Sequence, residues 1–262
     1  MKRFDFAGKT VLVTGASMGI GAEFARRLSR RGATVVLVAR SEAKLEALAA
    51  ALGNAHVLPA DLTAPGAPQR LFEAVRAKGL EVDVLVSNAG FGLHGGFDVL
   101  PLKDQLEQID LNVHALVELT HVFLPMLERR QGGVIHVASM AAYQPTPYMA
   151  VYGATKAFVL SFSEALWAEY RERGVRVLAL SPGATDTPFF ERSGEGASPG
   201  RKARPEDVVE VGLEAFIAGR SSVVHGLGNR LAAFANRFFS RELSAKVIAR
   251  MTRPKTPALP AT

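Results

Sequence analysis

Seven short, β-branched apolar runs recur along this chain, and they limit its fold more than any other feature. They occupy residues 10–14, 34–39, 56–60, 82–87, 134–138, 175–180 and 222–225. Their apolar character is unbroken rather than alternating, the pattern of strands covered on both faces in a parallel sheet. The stretches between them have helical spacing. Ile20, Phe24 and Leu28 recur every four residues, with Arg26, Arg27 and Arg30 on other faces, so this helix buries one stripe. Repeated βα units require right-handed crossovers. The predicted fold class is therefore α/β, a doubly wound, mainly parallel seven-stranded sheet.

The length of 262 residues suits one large α/β domain, and 48% apolar residues supply its core. Residues 1–226 are read as the catalytic unit, with an irregular lid at 184–204 rich in Gly, Ser, Pro and Arg. Residues 227–262 are read as a C-terminal amphipathic helical extension and tail of the same domain. There is no run of eighteen apolar residues that would span a bilayer. Met1, Lys2 and Arg3 lead only into a short apolar stretch and then glycine-rich sequence, unlike a signal peptide. With no cysteines, disulfides and thiolate metal ligands are excluded, no metal is expected, and a cytoplasmic location fits. A net charge of +6 favours anionic ligands, such as phosphorylated cofactors, or an anionic membrane surface. Nucleic-acid binding would need a concentrated basic stripe with a recognition motif, and none is expected.

The first strand runs into Thr14-Gly15-Ala16-Ser17-Met18-Gly19-Ile20-Gly21 and then directly into a helix. Glycines at such a junction let the backbone approach a pyrophosphate, whose charge the helix N-terminus stabilises. The second strand ends Val38-Ala39-Arg40-Ser41, with no carboxylate until Glu42. An acid there would hydrogen-bond the ribose of NAD, whereas Arg40 suits the additional phosphate of NADP. Asp61-Leu62 follows the third strand and Asn88-Ala89-Gly90 the fourth. Taken singly these are turn residues, but they fall together at successive carboxyl ends of parallel strands, the edge where such sheets bind ligands.

Further along lie Ser139, closing the fifth strand, and Tyr152-Gly153-Ala154-Thr155-Lys156. Residues four apart share a helix face, so Tyr152 and Lys156 point into one cleft. An ammonium near a phenol favours the phenolate and lowers its pKa towards the working range of an acid–base catalyst. Asn112 stands on a largely apolar helix, and Pro182-Gly183 with Thr185 follows the sixth strand.

Together these motifs, with glycines spaced G-x-x-x-G-x-G, make the chain resemble the short-chain dehydrogenase/reductase family from Lys9 to about Val224. The resemblance implies a Rossmann-type fold and hydride transfer between nicotinamide and a carbonyl or alcohol. It assigns cofactor binding to Gly15, Ser17, Met18, Gly19, Ile20, Arg40, Asp61, Leu62, Asn88, Ala89, Gly90, Pro182, Gly183 and Thr185. Ser139 would hydrogen-bond the substrate oxygen and Tyr152 would exchange its proton. Lys156 would hold the nicotinamide ribose and lower the tyrosine pKa, and Asn112 would anchor a water relay. NADP(H) is expected in preference to NAD(H). The family also implies a homodimer or homotetramer, consistent with Phe158, Phe162 and Leu166 forming a stripe on one helix.

Phe91, Leu93, Gln144, Tyr148, Met149, Phe189 and Phe190 are the expected pocket residues, which favours a lipophilic small-molecule substrate. In the C-terminal stretch, Leu227, Leu231, Phe234 and Phe238 follow helical spacing, with Arg230, Arg237 and Arg241 on another face. Such a helix can lie on an anionic membrane, but packing on its own domain or a neighbouring subunit is commoner. A cofactor-retaining epimerase or dehydratase is the less favoured enzyme reading, because such relatives are longer. A non-catalytic NADP(H) sensor or interaction protein is the alternative from another class. It has no need of Ser139, Tyr152 and Lys156.

Overall fold

A computed structural model describes residues 3–193 and 202–254. Part of the expected lid, 194–201, and the tail from 255 onward lie outside these residues. Strands β1 (Thr10–Thr14), β2 (Thr34–Ala39), β3 (Ala55–Pro59), β4 (Val84–Ser87), β5 (Gly133–Val137), β6 (Arg176–Ser181) and β7 (Ser222–Val224) form one sheet. Its order is β3-β2-β1-β4-β5-β6-β7, and every neighbouring pair is parallel. The sheet is thus parallel throughout rather than mainly so. β1 and β2 have the limits read from sequence, β3, β5 and β6 are displaced by one residue, and β4 and β7 are shorter by two and one, because apolarity there continues past the ladder bonding.

The reason for the unbroken apolar runs is visible in the core. Val11, Val13, Val35 and Leu37 face one side, against Phe24 and Leu28 of α1 (Gly19–Arg30), Leu45 of α2 (Glu42–Leu52) and Phe216 of α8 (Pro205–Ile217). Leu12, Val36, Val38 and Leu85 face the other side. There they meet Leu71 and Val75 of α3 (Ala67–Ala77), Leu119 and Phe123 of α5 (Ala115–Arg129), and Trp167 of α6 (Ala150–Tyr170). Each strand therefore alternates between two apolar layers, not between core and water. On α1 Phe24 and Leu28 of the expected stripe are buried and Ile20 is half-buried, while Arg27 pairs with Glu23 (2.9 Å) and Glu210 (3.1 Å), tying α1 to α8.

Two local departures from regular helix bear on function. Between α4 (Leu102–Ile109) and α5, residues Asp110–His114 form one π-helical turn that contains Asn112. The C-terminal stretch, expected as one helix, is two: α9 (Leu227–Ala235) and α10 (Arg241–Thr252). Ser240 starts the second by accepting a hydrogen bond from the Leu243 N–H (3.1 Å), the N-cap arrangement that favours a fresh helix start. No helix among the described residues is long and apolar enough to cross a membrane.

The strand order reverses between β1 and β4, which opens a crevice at their carboxyl ends. One hydroxyl holds the two loops of that crevice together. Thr14 Oγ1 accepts from the backbone N–H groups of Asn88 (3.0 Å) and Ala89 (3.0 Å) and donates to Val86 O (3.3 Å). Asn88 Nδ2 returns a bond to Thr14 O (2.9 Å). Thr14 is fully buried, so Thr14→Val would leave two N–H groups without their acceptor. Urea unfolding is expected to show a loss of about 1–3 kcal/mol for this variant.

Candidate active site

A cavity of about 670 Å³ runs along the carboxyl edge of the sheet, from the glycine-rich turn to the C-terminal helix. Nearly every residue proposed from sequence lines it: Gly15, Ser17, Met18, Gly19, Ile20, Arg40, Asp61, Leu62, Asn88, Ala89, Gly90, Ser139, Tyr152, Lys156, Pro182, Gly183 and Thr185.

At one end the turn after β1 requires glycine. Gly15 and Gly19 have φ of +65° and +56°, and a Cβ on Gly15 would lie 2.8 Å from Asn88 Nδ2. Helix α1 starts here with no side chain capping it and no acid in its first turn. Its leading N–H groups and positive dipole end therefore meet the cavity without a resident anion, a cradle that fits a pyrophosphate. Arg40 is exposed at the end of β2 beside this turn. Asp61 across from it accepts from the Thr63 hydroxyl (2.7 Å) and N–H (3.0 Å). Those bonds hold its carboxyl below the usual range, with the Arg40 charge adding to the effect.

At the middle of the cavity the reactive side chains converge. Tyr152 and Lys156 occupy the first turns of α6 and share a face. Ser139 follows β5 by two residues, and its Oγ accepts from the Ala141 N–H (3.1 Å) as a short 3₁₀ turn begins. Lys156 Nζ donates to Val137 O (2.7 Å) and stands 5.9 Å from the centre of the Tyr152 ring. Burial lowers the Lys156 pKa to about 8. The Tyr152 phenol is pushed up by burial, and a hydrogen bond with Ser139 opposes that shift. This direction differs from the expectation based on a nearby ammonium. Withdrawal from water outweighs everything else around the phenol, and the group that works against it is Ser139.

Asn112 is placed differently from the rest. It is 1% exposed and lies behind the cavity wall. Its Nδ2 donates to Phe91 O (3.0 Å) and Thr155 Oγ1 (3.1 Å), and its Oδ1 accepts from the Phe91 N–H (3.2 Å). The side chain is thus committed to fastening the Asn88-Ala89-Gly90-Phe91 turn to α6. After β6, Pro182 O accepts from the Met140 N–H (2.8 Å), and Thr185 Oγ1 donates to Gly183 O (3.0 Å). Ala203 bonds through its backbone with Ala184 and Asp186 (2.8 Å each).

The remaining end is apolar. Phe91, Gln144, Met149, Phe189 and Phe190 line it as expected, with the Phe189 ring 5.6 Å from that of Tyr152. Leu93 and Tyr148 do not. They border a separate space of about 30 Å³, because Tyr148 has a φ of +63° and its hydroxyl accepts from Arg253 Nε (3.2 Å). Sequence reasoning missed Ile248, Met251 and Thr252, which line the cavity from α10. Thr252 is held by Pro147 O (3.0 Å) and His94 (2.6 Å), and Asn236 Nδ2 donates to Gln144 Oε1 (2.6 Å). The spacing of Ile248 and Thr252 marks one helix face, but nothing in the spacing tells which wall it meets.

The family model for short chain dehydrogenases matches residues 9–197. The chain belongs to the short-chain dehydrogenase family. A relative, serine 3-dehydrogenase of Agrobacterium fabrum, is 39% identical over 184 residues, covering 69% of this chain and 73% of the relative. A short-chain dehydrogenase from Sphingobium yanoikuyae in complex with NADPH superposes with TM-score 0.79 at 33% identity, over 88% of this chain and 93% of its own. The 3-ketoacyl-(acyl-carrier-protein) reductase from Brucella melitensis, complexed with NADH, gives TM-score 0.77 at 29% identity, over 85% and 98%.

In this family member the burial of Lys156 carries a pH signature. A lysine whose folded pKa is lowered destabilises the fold fully below about pH 8, and the penalty is relieved as pH rises towards 10.5. Relative to Lys156→Met, the wild type should therefore gain stability across that window, by on the order of 3 kcal/mol. Urea titrations of both proteins at the two ends measure it; a constant difference would contradict the lowered pKa.

Proposed function

We propose that this protein is an NADP(H)-dependent oxidoreductase that interconverts a lipophilic carbonyl compound and its alcohol. The observation that carries the reading is the convergence of Ser139, Tyr152 and Lys156 on one cavity that continues to the uncapped N-terminus of α1. When bound, the nicotinamide group supplies or receives the hydride.

The protein's own residues supply proton handling and electrostatics. In the reductive direction Ser139 Oγ donates a hydrogen bond to the substrate oxygen where negative charge accumulates. Tyr152 gives its phenolic proton to that oxygen. Burial keeps the phenol protonated, which suits a donor in this direction. Lys156 holds the cofactor ribose, and Asn112 acts one step removed, by fixing the turn beneath it. Gly15 to Ile20 bind the pyrophosphate, and Arg40 the additional phosphate of NADP(H).

The substrate end supports a neutral, lipophilic molecule. Phe91, Met149, Phe190, Ile248 and Met251 surround it, and Lys202 Nζ stands 4.1 Å over the Phe190 ring. A non-catalytic sensor remains the alternative, but no observation favours it over a complete proton-transfer set.

Purified protein should consume NADPH with ketones or aldehydes of graded size, and Tyr152→Phe should lose at least about a hundredfold in kcat while keeping NADPH affinity. Full activity in Tyr152→Phe, or none in the wild type on any carbonyl despite NADPH binding, would overturn the reading. Arg40→Ala should weaken NADPH binding about tenfold or more and leave NADH nearly unchanged, read by fluorescence titration. Equal losses for both cofactors would remove Arg40 from the phosphate site.

A further inference from the structure

The hairpin of α9 and α10 has two working sides. Its inner side closes the cavity with Ile248, Met251 and Thr252. Each helix also carries exposed apolar residues. Leu227, Leu231, Phe234 and Phe238 follow one another along α9 and its exit, and they are 70%, 61%, 57% and 74% exposed. Leu243, Val247 and Met251 form a second stripe along α10, spaced by four, and Phe239 lies between the two. Eight of the fourteen exposed large apolar residues among those described fall within this one hairpin. The family match ends at residue 197, well before it.

Charge is concentrated in the same place. Residues 227–254 hold Arg230, Arg237, Arg241, Lys246, Arg250 and Arg253 against a single acid, Glu242, and so account for five of the six net positive charges of the chain. All six cations are exposed. Among the described residues only Lys246 has an ion-pair partner, Glu242 at 2.6 Å.

We propose that this hairpin docks on the surface of a bilayer containing anionic lipid. One-sided apolar stripes flanked by cations match the requirements of a helix lying in the lipid interface, where apolar area and attraction to anionic headgroups act together. A second copy of the chain is a poor occupant, because a two-fold contact would set one cationic hairpin against another. Met251 belongs to both the exposed stripe and the cavity wall, so the apolar end of the cavity borders the docked face.

Cosedimentation of the full chain with vesicles tests this. The wild type should partition at least about tenfold better to phosphatidylcholine–phosphatidylglycerol vesicles than to phosphatidylcholine alone, and raised salt should weaken the binding. Phe234→Ser/Phe238→Ser should lose about tenfold through missing apolar insertion. Arg230→Glu/Arg237→Glu should lose the preference for anionic vesicles. Neither pair lines the cavity, and thermal unfolding verifies that each variant is folded. Equal binding to both vesicle types, binding unchanged in both variants, or a wild-type dimer that the phenylalanine variant dissociates would overturn the proposal. The vesicle assay needs no substrate or cofactor, so its outcome is independent of the proposed reaction.

Discussion

The hydroxyl of Thr14 joins the two halves of the crevice on which the rest of the site is built. A doubly wound sheet creates a cleft where its strand order reverses, but the two loops that border the cleft leave from different strands. Here one buried oxygen accepts from the N–H groups of Asn88 and Ala89 while the Asn88 amide returns to Thr14 O. The glycine-rich turn can then pass close to Asn88 without a side chain between them. From that fixed pair, Asn112 carries the order onward, binding Phe91 on one side and Thr155 of α6 on the other. Tyr152 and Lys156 are thus placed relative to the α1 terminus by a continuous hydrogen-bonded path.

Burial sets the electrostatics of the reactive centre. A free phenol and a free ammonium have pKa values near each other, and Coulomb attraction alone would move them apart in the direction of an ion pair. In this site both are withdrawn from water, and each is shifted towards its neutral form. A neutral phenol beside Ser139 suits the proton donation proposed for it. The same desolvation accounts for His136 on β5, which is held down to about 3 and bonds to Thr120 (2.9 Å) and Ser163 (2.8 Å) as a neutral core residue.

The C-terminal hairpin gives the cavity its character. Without it, the apolar end formed by Phe91, Met149 and Phe190 would face water. With Ile248 and Met251 in place, that end becomes a recess large enough for a substrate beside the cofactor cradle. The hairpin is attached by few polar contacts, among them Asn236 with Gln144 and Thr252 with Pro147 and His94.

The sequence by itself determined the strands, the stripe of α1 and the positions of the glycine turn, Ser139, Tyr152 and Lys156. Each of these is local: period, chain direction and the steric demands of glycine act within a few residues. It could not determine which groups are withdrawn from water, and so it had Lys156 lowering the phenol where burial raises it. It also placed Leu93 and Tyr148 in the pocket and left Ile248, Met251 and Thr252 out. Those assignments depend on which faces meet across a hundred residues, and helical spacing is the same whichever wall the face covers. The break at Ser240 turned one expected helix into a hairpin, and only the packed fold decided that one side closes the cavity while the other is exposed.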